Sequence, residues 1–242
     1  MAEMSFFEKV WYIFGHNIDL FIYGIEITLL LAVVGTICGL LLGLLLSVIR
    51  LVEVNKHDFI FKRIAAKISK ALVSFYVWFF RGTPMMVQAL FFYFMLRPVI
   101  GWTPLMAGLV IISINTGAYM AEIVRSGIQS VDDGQIEGAR SIGMSNLQTL
   151  KSIVLPQAIK NAFPSIGNQF IINIKDSCML NAMGVIELFF QSSSIAGSVM
   201  LFSETYFITM ILYLTLTSLA TIILNFVEKR MDYTLYSQEG IR

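Results

Sequence analysis

The sequence is short of charge. Only 14% of its 242 residues are charged, whereas 57% are hydrophobic and the mean hydropathy is +0.75. A soluble globular domain carries about 25% charged residues, because its surface must be wetted. The shortfall excludes an ordinary soluble enzyme or carrier and favours a protein embedded in a bilayer. The net charge of +1 provides no concentrated basic face, which argues against nucleic acid as a partner.

Cysteine is also scarce. Cys38 and Cys178 lie in apolar runs, and they offer neither a disulfide framework nor the spacing of metal ligands. We expect both to be small buried hydrophobic residues. The sequence further lacks a Ser/His/Asp or Cys/His constellation and a phosphate-binding Walker motif. It therefore predicts no catalytic residue, no metal site and no cofactor bound by this chain.

Long apolar runs are abundant. A membrane-spanning helix needs about 20 mostly apolar residues, and five stretches reach that length. Three contain no charged residue, the one at 71–96 is interrupted by Arg81-Gly82-Thr83-Pro84, and the last is so long that part of it is expected to be tilted, broken or interfacial. We predict an all-α integral membrane protein with about five spans. The stretches are 27–49, 71–96, 98–121, 155–191 and 205–227.

The distribution of basic residues predicts the orientation. The loop between the first two spans is rich in lysine and arginine, which places it in the cytoplasm by the positive-inside rule. Alternation then leaves residues 1–19 as an external segment, 20–230 as one transmembrane domain and 231–242 as a cytoplasmic tail. The charged residues of that loop are Arg50, Lys56, Lys62, Arg63, Lys67 and Lys70, against Glu53 and Asp58.

Residues 132–156, here called the polar loop, are too polar for lipid and carry helix-capping signals. Asp132-Asp133 offers good N-cap residues. A short helix is expected to follow and to end near Gly143, because glycine suits the left-handed conformation that closes helices. Ser145-Asn146-Leu147-Gln148 has the form of a capping box and predicts a second helix that runs toward Pro156. The polar loop is thus predicted to be two helices about a glycine joint.

Apolar residues of the polar loop recur at three- and four-residue steps and so predict a single stripe. Two interpretations are open. The stripe packs on the ends of the chain's own spans, or it fits a groove on a partner, as amphipathic helices do. Small residues in it would let a partner approach closely. The stripe consists of Ile136, Ala139, Gly143, Leu147 and Leu150.

A longer pattern runs through the same loop. Glu137-Gly138-Ala139 is followed after three residues by Gly143 and after nine more by Ile153-Val154-Leu155-Pro156. This resembles the EAA signature of ATP-binding-cassette (ABC) importer permeases, with Gly138 where alanine is usual, a change that lowers helix propensity by roughly 1 kcal/mol. In that family the loop is a coupling helix seated in a cleft of the ATPase. The resemblance implies an ATPase-coupling role for Glu137, Gly138, Ala139, Gly143, Ile153, Leu155 and Pro156.

Further motifs are similar to those of the polar amino acid permeases, namely Arg81–Gln88, Ala118–Ile128 and Lys175-Asp176-Ser177. The resemblance covers about residues 20–230. It implies a type I importer transmembrane domain in a bacterial inner membrane, paired with a second permease subunit that is an identical copy or a paralogue. It also implies a cytoplasmic ABC ATPase dimer, which binds ATP and Mg, and an extracellular or periplasmic binding protein that delivers the amino acid.

Ionisable residues at membrane depth are functional candidates, because each is costly there unless it is paired or faces water. The break at Arg81-Gly82-Thr83-Pro84 either lines a cavity or is a structural joint. Glu122 could bind the ammonium group of a substrate, or pair with Arg125 or Arg81. Lys175-Asp176 should diverge on a helix, with one side chain facing the path. The candidate substrate path is Arg81, Gly82, Thr83, Asn115, Tyr119, Glu122, Lys175 and Asp176.

Three other functions stay open at this point. The same fold could carry another small solute, such as methionine. An ion channel or secondary transporter would work without ATP, and a membrane-embedded enzyme would need a catalytic constellation. The polar loop discriminates among these functions, since a channel or secondary transporter has no use for a docking helix.

Overall fold

The computed structural model describes residues 4–51 and 59–239, and within these ranges the chain forms only helices and the turns that join them. The all-α prediction is therefore confirmed. Glu53, Lys56 and Asp58 of the predicted basic loop, and the last residues of the predicted tail, lie outside the described residues. The helices are α1 (Phe6–His16), α2 (Ile18–Leu51), α3 (Ile60–Gly82), α4 (Met85–Ile100), α5 (Pro104–Gln129), α6 (Asp133–Ser141), α7 (Asn146–Thr149), a π-helical turn (Leu150–Val154), α8 (Leu155–Asp176), a 3₁₀ helix (Ser177–Met183), α9 (Leu188–Val199) and α10 (Phe202–Glu239).

Three helices of the described chain, α2, α5 and α10, are long and apolar enough to cross a membrane. The pair α3 and α4, bent at its break, makes a fourth crossing if it is counted as one span. The fifth predicted run forms α8, the 3₁₀ helix and α9. Its interruption agrees with the expectation that this run is broken, and by length and composition it does not add a fifth crossing.

One predicted span begins at the wrong residue. Pro98 was expected to open a span, but α4 continues through Pro98 to Ile100. The helix ends at Gly101, whose φ of +64° is a left-handed conformation that glycine adopts without strain. The next span, α5, starts at Pro104, in the first helical position where the missing N–H of proline costs nothing.

The described residues divide into two compact units, and the chain passes from one to the other within α2, α5, α8 and α10 and at the break between α3 and α4. The first unit comprises the described parts of Met1–Thr36, Thr83–Ser113 and Phe170–Ile222. One of its cores joins α2, α4, α5 and the 3₁₀ helix around Leu31, Tyr93, Ile112 and Leu180. Another joins α1, α2, α9 and α10 around Ile13, Phe21, Leu188 and Ile208.

The second unit comprises the described parts of Ile37–Gly82, Ile114–Gln169 and Ile223–Arg242. Val73 and Val77 of α3 pack there against Ala121 of α5. A separate small core joins Val154 of the polar loop to Val131 and Ala158, which lie just before and just after the loop. The polar loop therefore packs on an apolar core within this unit.

Glycines bring α2 and α5 into close contact in the second unit. A Cβ atom added to Gly39 would lie 2.6 Å from the Cγ2 of Thr116, and one added to Gly43 would lie 2.5 Å from the Cβ of Met120. Membrane helices pack through small residues in this way, because dispersion contacts take the place of a hydrophobic driving force. The four-residue spacing of Gly39 and Gly43 was a sequence signal for this contact.

The two cysteines are not both buried. The side chain of Cys38 is exposed and that of Cys178 is half-buried, so the prediction of buried positions is wrong for Cys38. Cys38 lies on α2 next to Ile37 and near Leu41, which are also exposed. In a membrane helix an apolar side chain can face lipid or another subunit, so hydrophobicity alone does not predict burial within the chain.

We predict that Gly43→Ala lowers the thermal-unfolding midpoint of the purified chain in detergent. The added methyl group meets Met120 at an impossible distance, and overpacking of this kind costs about 1–3 kcal/mol. Gly197→Ala in α9 is the matched control, because a Cβ there meets nothing within 4 Å and alanine favours the helix. Equal midpoints for the two variants would contradict the close-contact interpretation.

Candidate functional site

The first helix of the polar loop is capped at both ends. The carboxylate of Asp132 accepts a hydrogen bond from the N–H of Gly134 at 2.7 Å, which satisfies one of the free donors at the start of α6. At the other end, Gly143 has a φ of +85°, and the N–H of Met144 donates to the carbonyl of Ala139 at 3.1 Å. The predicted glycine joint is confirmed, since a side chain at this φ would be strained.

The second helix begins with the predicted capping box. The hydroxyl of Ser145 accepts from the N–H of Gln148, while the Gln148 side chain accepts from the N–H of Ser145 at 2.8 Å. The helix does not stop near Pro156. It widens into the π-helical turn, where the N–H of Leu155 donates to the carbonyl of Leu150, and continues as α8. Proline lacks an N–H and clashes with the carbonyl four residues before it, so the wider turn accommodates Pro156.

The apolar stripe predicted for the polar loop is split. Ile136 and Leu150 pack against the core of Val131, Val154 and Ala158, as the self-packing interpretation expected. Leu147 is instead 73% exposed, so its assignment to the same stripe is wrong. The left-handed turn at Gly143 resets the helical phase, and residues counted across it as one helix point in different directions.

Two large apolar side chains of the polar loop are left outside every core of the described chain. Besides Leu147, Ile142 is 79% exposed, at the C-cap of α6. The capping box and the glycine turn fix the backbone on either side of them. Exposed apolar residues on a fixed frame are typical of a surface that binds another protein.

The residues that carry the EAA resemblance occupy mixed positions. Glu137, Gly138, Gly143 and Pro156 are exposed, Ile153 and Leu155 are half-buried, and Ala139 is buried. A Cβ atom at Gly138 would meet nothing within 4 Å, so the usual alanine would fit there as well. The departure from the signature therefore changes helix propensity but no packing contact.

The polar loop is joined rigidly to the helices before and after it. A Cβ added to Gly127 of α5 would lie 2.5 Å from the carbonyl oxygen of Ala158 in α8, so the two helices touch at this point. The side-chain amide of Asn161 donates to the hydroxyl of Ser130 at 2.9 Å. The two ends of the polar loop are thus held together where it joins α5 and α8, and Ile136 and Leu150 of the loop pack on the core that contains Ala158.

Several residues of the candidate substrate path line a polar cavity of about 490 Å³ in the second unit. Arg81, Tyr119 and Glu122 line it, and the guanidinium carbon of Arg81 lies 5.5 Å from the centre of the Tyr119 ring. Asn115 is buried instead, and its amide donates to the carbonyl of Phe80 at 3.3 Å. The remaining lining residues are Ile123, Arg125, Ser126, Gly127, Ser130, Asn161, Ala162 and Ser165.

The carboxylate of Glu122 is bound by two guanidinium groups. Arg125 contacts one oxygen through its Nε at 2.9 Å and its Nη2 at 2.8 Å, and Arg50 binds the other oxygen. Arg81 is not among these partners. The pairing favours the salt-bridge interpretation of Glu122 over direct contact with a substrate ammonium group. Arg50 was missed because 72 residues separate it from Glu122, and no local pattern links them.

The break between α3 and α4 is held by a side chain. The buried amide of Gln88 donates to the carbonyl and the hydroxyl of Thr83, at 2.9 and 2.7 Å. These bonds replace helical ones that the break removes, which supports the structural-joint interpretation for Thr83. Gly82 is exposed, and neither residue lines the polar cavity.

A second cavity, of about 640 Å³, lies within the first unit. Lys175 lines it, whereas Asp176 does not, so the two adjacent side chains diverge as the sequence suggested. The cavity is otherwise mostly apolar, and among the described residues that line it Lys175 alone carries a charge. The other lining residues are Cys178, Phe189, Tyr206, Thr209, Met210 and Tyr213.

Glu187 is a third charged residue of the apolar run at 155–191, and its carboxylate stabilises the fold. Its fully buried carboxylate accepts from the N–H groups of Phe189 and Phe190 at 2.9 and 2.8 Å and from the hydroxyl of Tyr213 at 2.9 Å. It thereby caps α9 and ties that helix to α10. Separately, no group of three or more histidine, cysteine, aspartate or glutamate residues in the described ranges is arranged to hold a metal ion.

Comparisons with known proteins agree with this architecture. The family described as "binding-protein-dependent transport system inner membrane component" matches residues 63–233. A putative glutamine transport system permease protein of Rickettsia bellii is 35% identical over 224 residues, which is 90% of this chain and 95% of that protein.

Solved structures resemble the chain as well. A crystal structure of an amino acid ABC transporter with histidines has a TM-score of 0.80 and 33% identity, covering 94% of this chain and 99% of its own. An inward-facing methionine ABC transporter has a TM-score of 0.73 at 22% identity, covering 88% of this chain and 96% of its own, and shows the fold alone. The predicted fold class is confirmed.

We predict that Arg50→Met lowers the unfolding midpoint more than Arg125→Met does. Arg50 joins α2 to α5 through a carboxylate that is only 19% exposed, whereas Arg125 is 41% exposed and lies one turn from Glu122. Hydrogen bonds to charged groups contribute about 1.5–3 kcal/mol, and exposed local pairs about 0.3–0.5. Thermal unfolding in detergent measures both variants, and a larger loss for Arg125→Met would contradict the ranking.

Proposed function

Because the chain belongs to the family of binding-protein-dependent transport system inner membrane components, we propose that it is the membrane-spanning permease subunit of an ATP-driven importer for a polar amino acid. The membrane location follows from the family and from the apolar helices. Permeases of this family work with a binding protein and an ATPase.

The observation that carries the proposal is the exposure of Ile142 and Leu147 on a capped loop. In our proposal this surface docks into a cleft of a cytoplasmic ABC ATPase dimer, with Glu137, Gly138 and Gly143 beside it. Fully burying an isoleucine or leucine side chain is worth about 1.5–3 kcal/mol, so two of them provide a substantial part of a docking interface. Ile153 in the π-helical turn, followed by Leu155 and Pro156 at the start of α8, continues the chain from that surface into the span.

The motor is a separate chain in this mechanism. The ATPase binds ATP and Mg, hydrolyses the nucleotide and closes its dimer. In our proposal this chain binds no cofactor and catalyses no reaction. Closure displaces the polar loop. Because Ile136 and Leu150 of the loop pack against the core that contains Ala158 of α8, and Ala158 touches Gly127 of α5, the displacement is passed to both helices and opens the path alternately to each side.

The cargo is assigned from the relatives' names and from the chemistry of the cavities. An amino acid presents a carboxylate, which a guanidinium or ammonium group binds well. Arg81 beside Tyr119 is the candidate in the polar cavity, and Lys175 is the candidate in the second cavity. Glu122 and Asn115 support this path rather than contact the cargo, as do Gly82 and Thr83 at the break. Asp176 is kept in the proposed path on the family resemblance, although it lines neither cavity.

The assembly contains further partners in our proposal. A second permease subunit, identical or paralogous, completes the path, and an external binding protein delivers the amino acid. The chain lies in a bacterial inner membrane with its N-terminus outside and its C-terminus in the cytoplasm. The basic residues Arg50, Lys62, Arg63, Lys67 and Lys70 support that orientation. A methionine permease shares only the fold, and an ATP-independent channel would leave Ile142 and Leu147 without a use.

We predict that the double variant Ile142→Ser, Leu147→Ser reaches the membrane but retains at least about tenfold less ATPase on co-purification. Losing roughly 1.4 kcal/mol of binding free energy suffices for that factor, and the two side chains together exceed it. ATP-dependent uptake of radiolabelled glutamine into vesicles holding the permease, ATPase and binding protein should fall in parallel.

The matched control for this experiment is Ile100→Ser, at the end of α4. Ile100 is also an exposed isoleucine, at 57%, but lies outside the polar loop, so ATPase binding and uptake should stay unchanged. Normal ATPase retention by the double variant would refute docking through these residues. Uptake of methionine but not of polar amino acids by the natural chain would refute the cargo assignment alone.

A further inference from the structure

Residues 59–72, here called the basic segment, are Phe59 and the first half of α3. Large apolar and basic residues are mixed along the segment, and it contains no acidic residue. None of its residues is buried, and its large apolar side chains are 52–88% exposed. The basic residues are Lys62, Arg63, Lys67 and Lys70, and the large apolar ones are Phe59, Ile60, Phe61, Ile64, Ile68 and Leu72.

The helix sorts these residues into two rows. Residues that follow one another at steps of three and four lie on one side of a helix, and both an apolar set and a basic set have these steps. At 3.6 residues per turn the two rows lie roughly 140° apart around the axis. The basic segment is therefore an amphipathic helix with an apolar side and a positively charged side. The apolar row is Phe61, Ile64, Ile68 and Leu72, and the basic row is Arg63, Lys67 and Lys70.

The second half of α3 packs on the chain and fixes the direction of the helix. Val73 and Val77 are buried beside Ala121 of α5, and the hydroxyl of Tyr76 donates to the carbonyl of Ile114. The basic segment continues from this packed half for about 20 Å at 1.5 Å per residue. Its position is therefore set by the core of the second unit, although none of its own residues is buried.

A contact with α2 marks the level of the membrane surface on α3. The apolar run of α2 ends at Ile49, and the guanidinium group of Arg50 donates to the hydroxyl of Ser74 at 3.5 Å. Ser74 is one turn from Lys70, and the apolar stretch 71–96 also starts just after Lys70. The basic row thus starts where α2 leaves the hydrocarbon. The assignment of this level to the cytoplasmic side rests on the proposed function.

A bilayer surface presents the two layers that such a helix requires. A helix in the interface buries its apolar side among acyl chains, while its basic side meets anionic headgroups. An identical second copy matches poorly, because a two-fold contact joins the same surface of both copies and α3 has no acidic residue to pair with the basic row. A position in water would leave all six large apolar side chains hydrated.

We propose that the basic segment lies along the cytoplasmic surface of the membrane and binds anionic phospholipid headgroups through Arg63, Lys67 and Lys70. Its apolar row is inserted among the acyl chains. The same helix continues to Arg81 at the polar cavity. Anionic headgroups therefore hold one end of a helix whose other end lines the proposed path.

A photoreactive amino acid at position 68 of the full-length chain tests the proposal. The chain is assembled with its ATPase in vesicles of equal parts phosphatidylglycerol and phosphatidylcholine, irradiated and analysed by mass spectrometry. Phosphatidylglycerol adducts should exceed phosphatidylcholine adducts at least about threefold, because several basic residues attract the anionic lipid. High salt should reduce this excess by screening. The adducts do not depend on uptake, so a wrong transport assignment would leave them unchanged.

Charge-neutralising variants of the photoreactive chain identify the residues that bind the headgroups. Arg63→Gln combined with Lys67→Gln should bring the two adducts close to equal amounts. The matched control is Arg140→Gln combined with Lys151→Gln, which removes the same charges from exposed positions of the polar loop. The control should leave the phosphatidylglycerol excess unchanged, because these residues lie outside the basic segment.

A crosslink from position 68 mainly to a second permease subunit or to the ATPase would overturn the proposal, since protein would then cover the apolar row. Equal amounts of the two lipid adducts, or no lipid adduct, would overturn it as well. An equal loss of the excess in both double variants would show a general effect of charge and remove the assignment to the basic row. If the Arg63 and Lys67 double variant fails to fold, the unsubstituted basic row still decides through the first two results.

Discussion

A chain inside a bilayer must satisfy its backbone hydrogen bonds by itself, and the rest of this structure depends on that constraint. Uninterrupted helix is the simplest solution, and α2, α5 and α10 adopt it. At several of the described helix ends a side chain supplies the missing bonds. Gln88 does so at the break before α4, and Glu187 does so at the start of α9. The two capped starts in the polar loop, at Asp132 and Ser145, follow the same rule.

These capped interruptions explain which features were predictable from the sequence. Capping is local, so Asp132, Gly143 and the box at Ser145 were identified from residues a few positions apart. Arg50 was not, because its carboxylate partner lies 72 residues away. Leu147 was assigned to the wrong face because a helical period cannot be counted across a left-handed glycine. Cys38 was placed inside because apolar character does not distinguish a core from lipid.

The candidate site was predictable to a similar extent. The sequence selected Arg81, Tyr119 and Glu122 as a set, and the structure brings them to one cavity. The sequence could not assign their roles, since a charged side chain at membrane depth can bind a substrate or can form an ion pair with another side chain of the chain. The structure favours an ion-pair role for Glu122, whose carboxylate two arginines bind, and places Arg81 over the ring of Tyr119 at the cavity wall. Lys175 lines a separate cavity in the first unit, so the set of eight is not one cluster.

The polar loop combines stiffness with an exposed apolar surface, and transport in our account requires both. A flexible loop would absorb the motion of an ATPase, whereas a capped loop braced against α5 and α8 passes it on. The π-helical turn at Leu150–Val154 keeps α7 and α8 continuous despite Pro156. A force that the ATPase applies at Ile142 and Leu147 is therefore transmitted to the membrane-spanning helices without a flexible joint between α7 and α8.

Photocrosslinking from two leucines of the polar loop tests this account most directly. A photoreactive amino acid is placed at position 147 or at position 150 of the permease assembled with its ATPase. Leu147 is exposed and Leu150 packs on the chain's own core, so the account predicts a crosslink to the ATPase from position 147 and little from position 150. Equal crosslinking from both positions, or none from position 147, would contradict it.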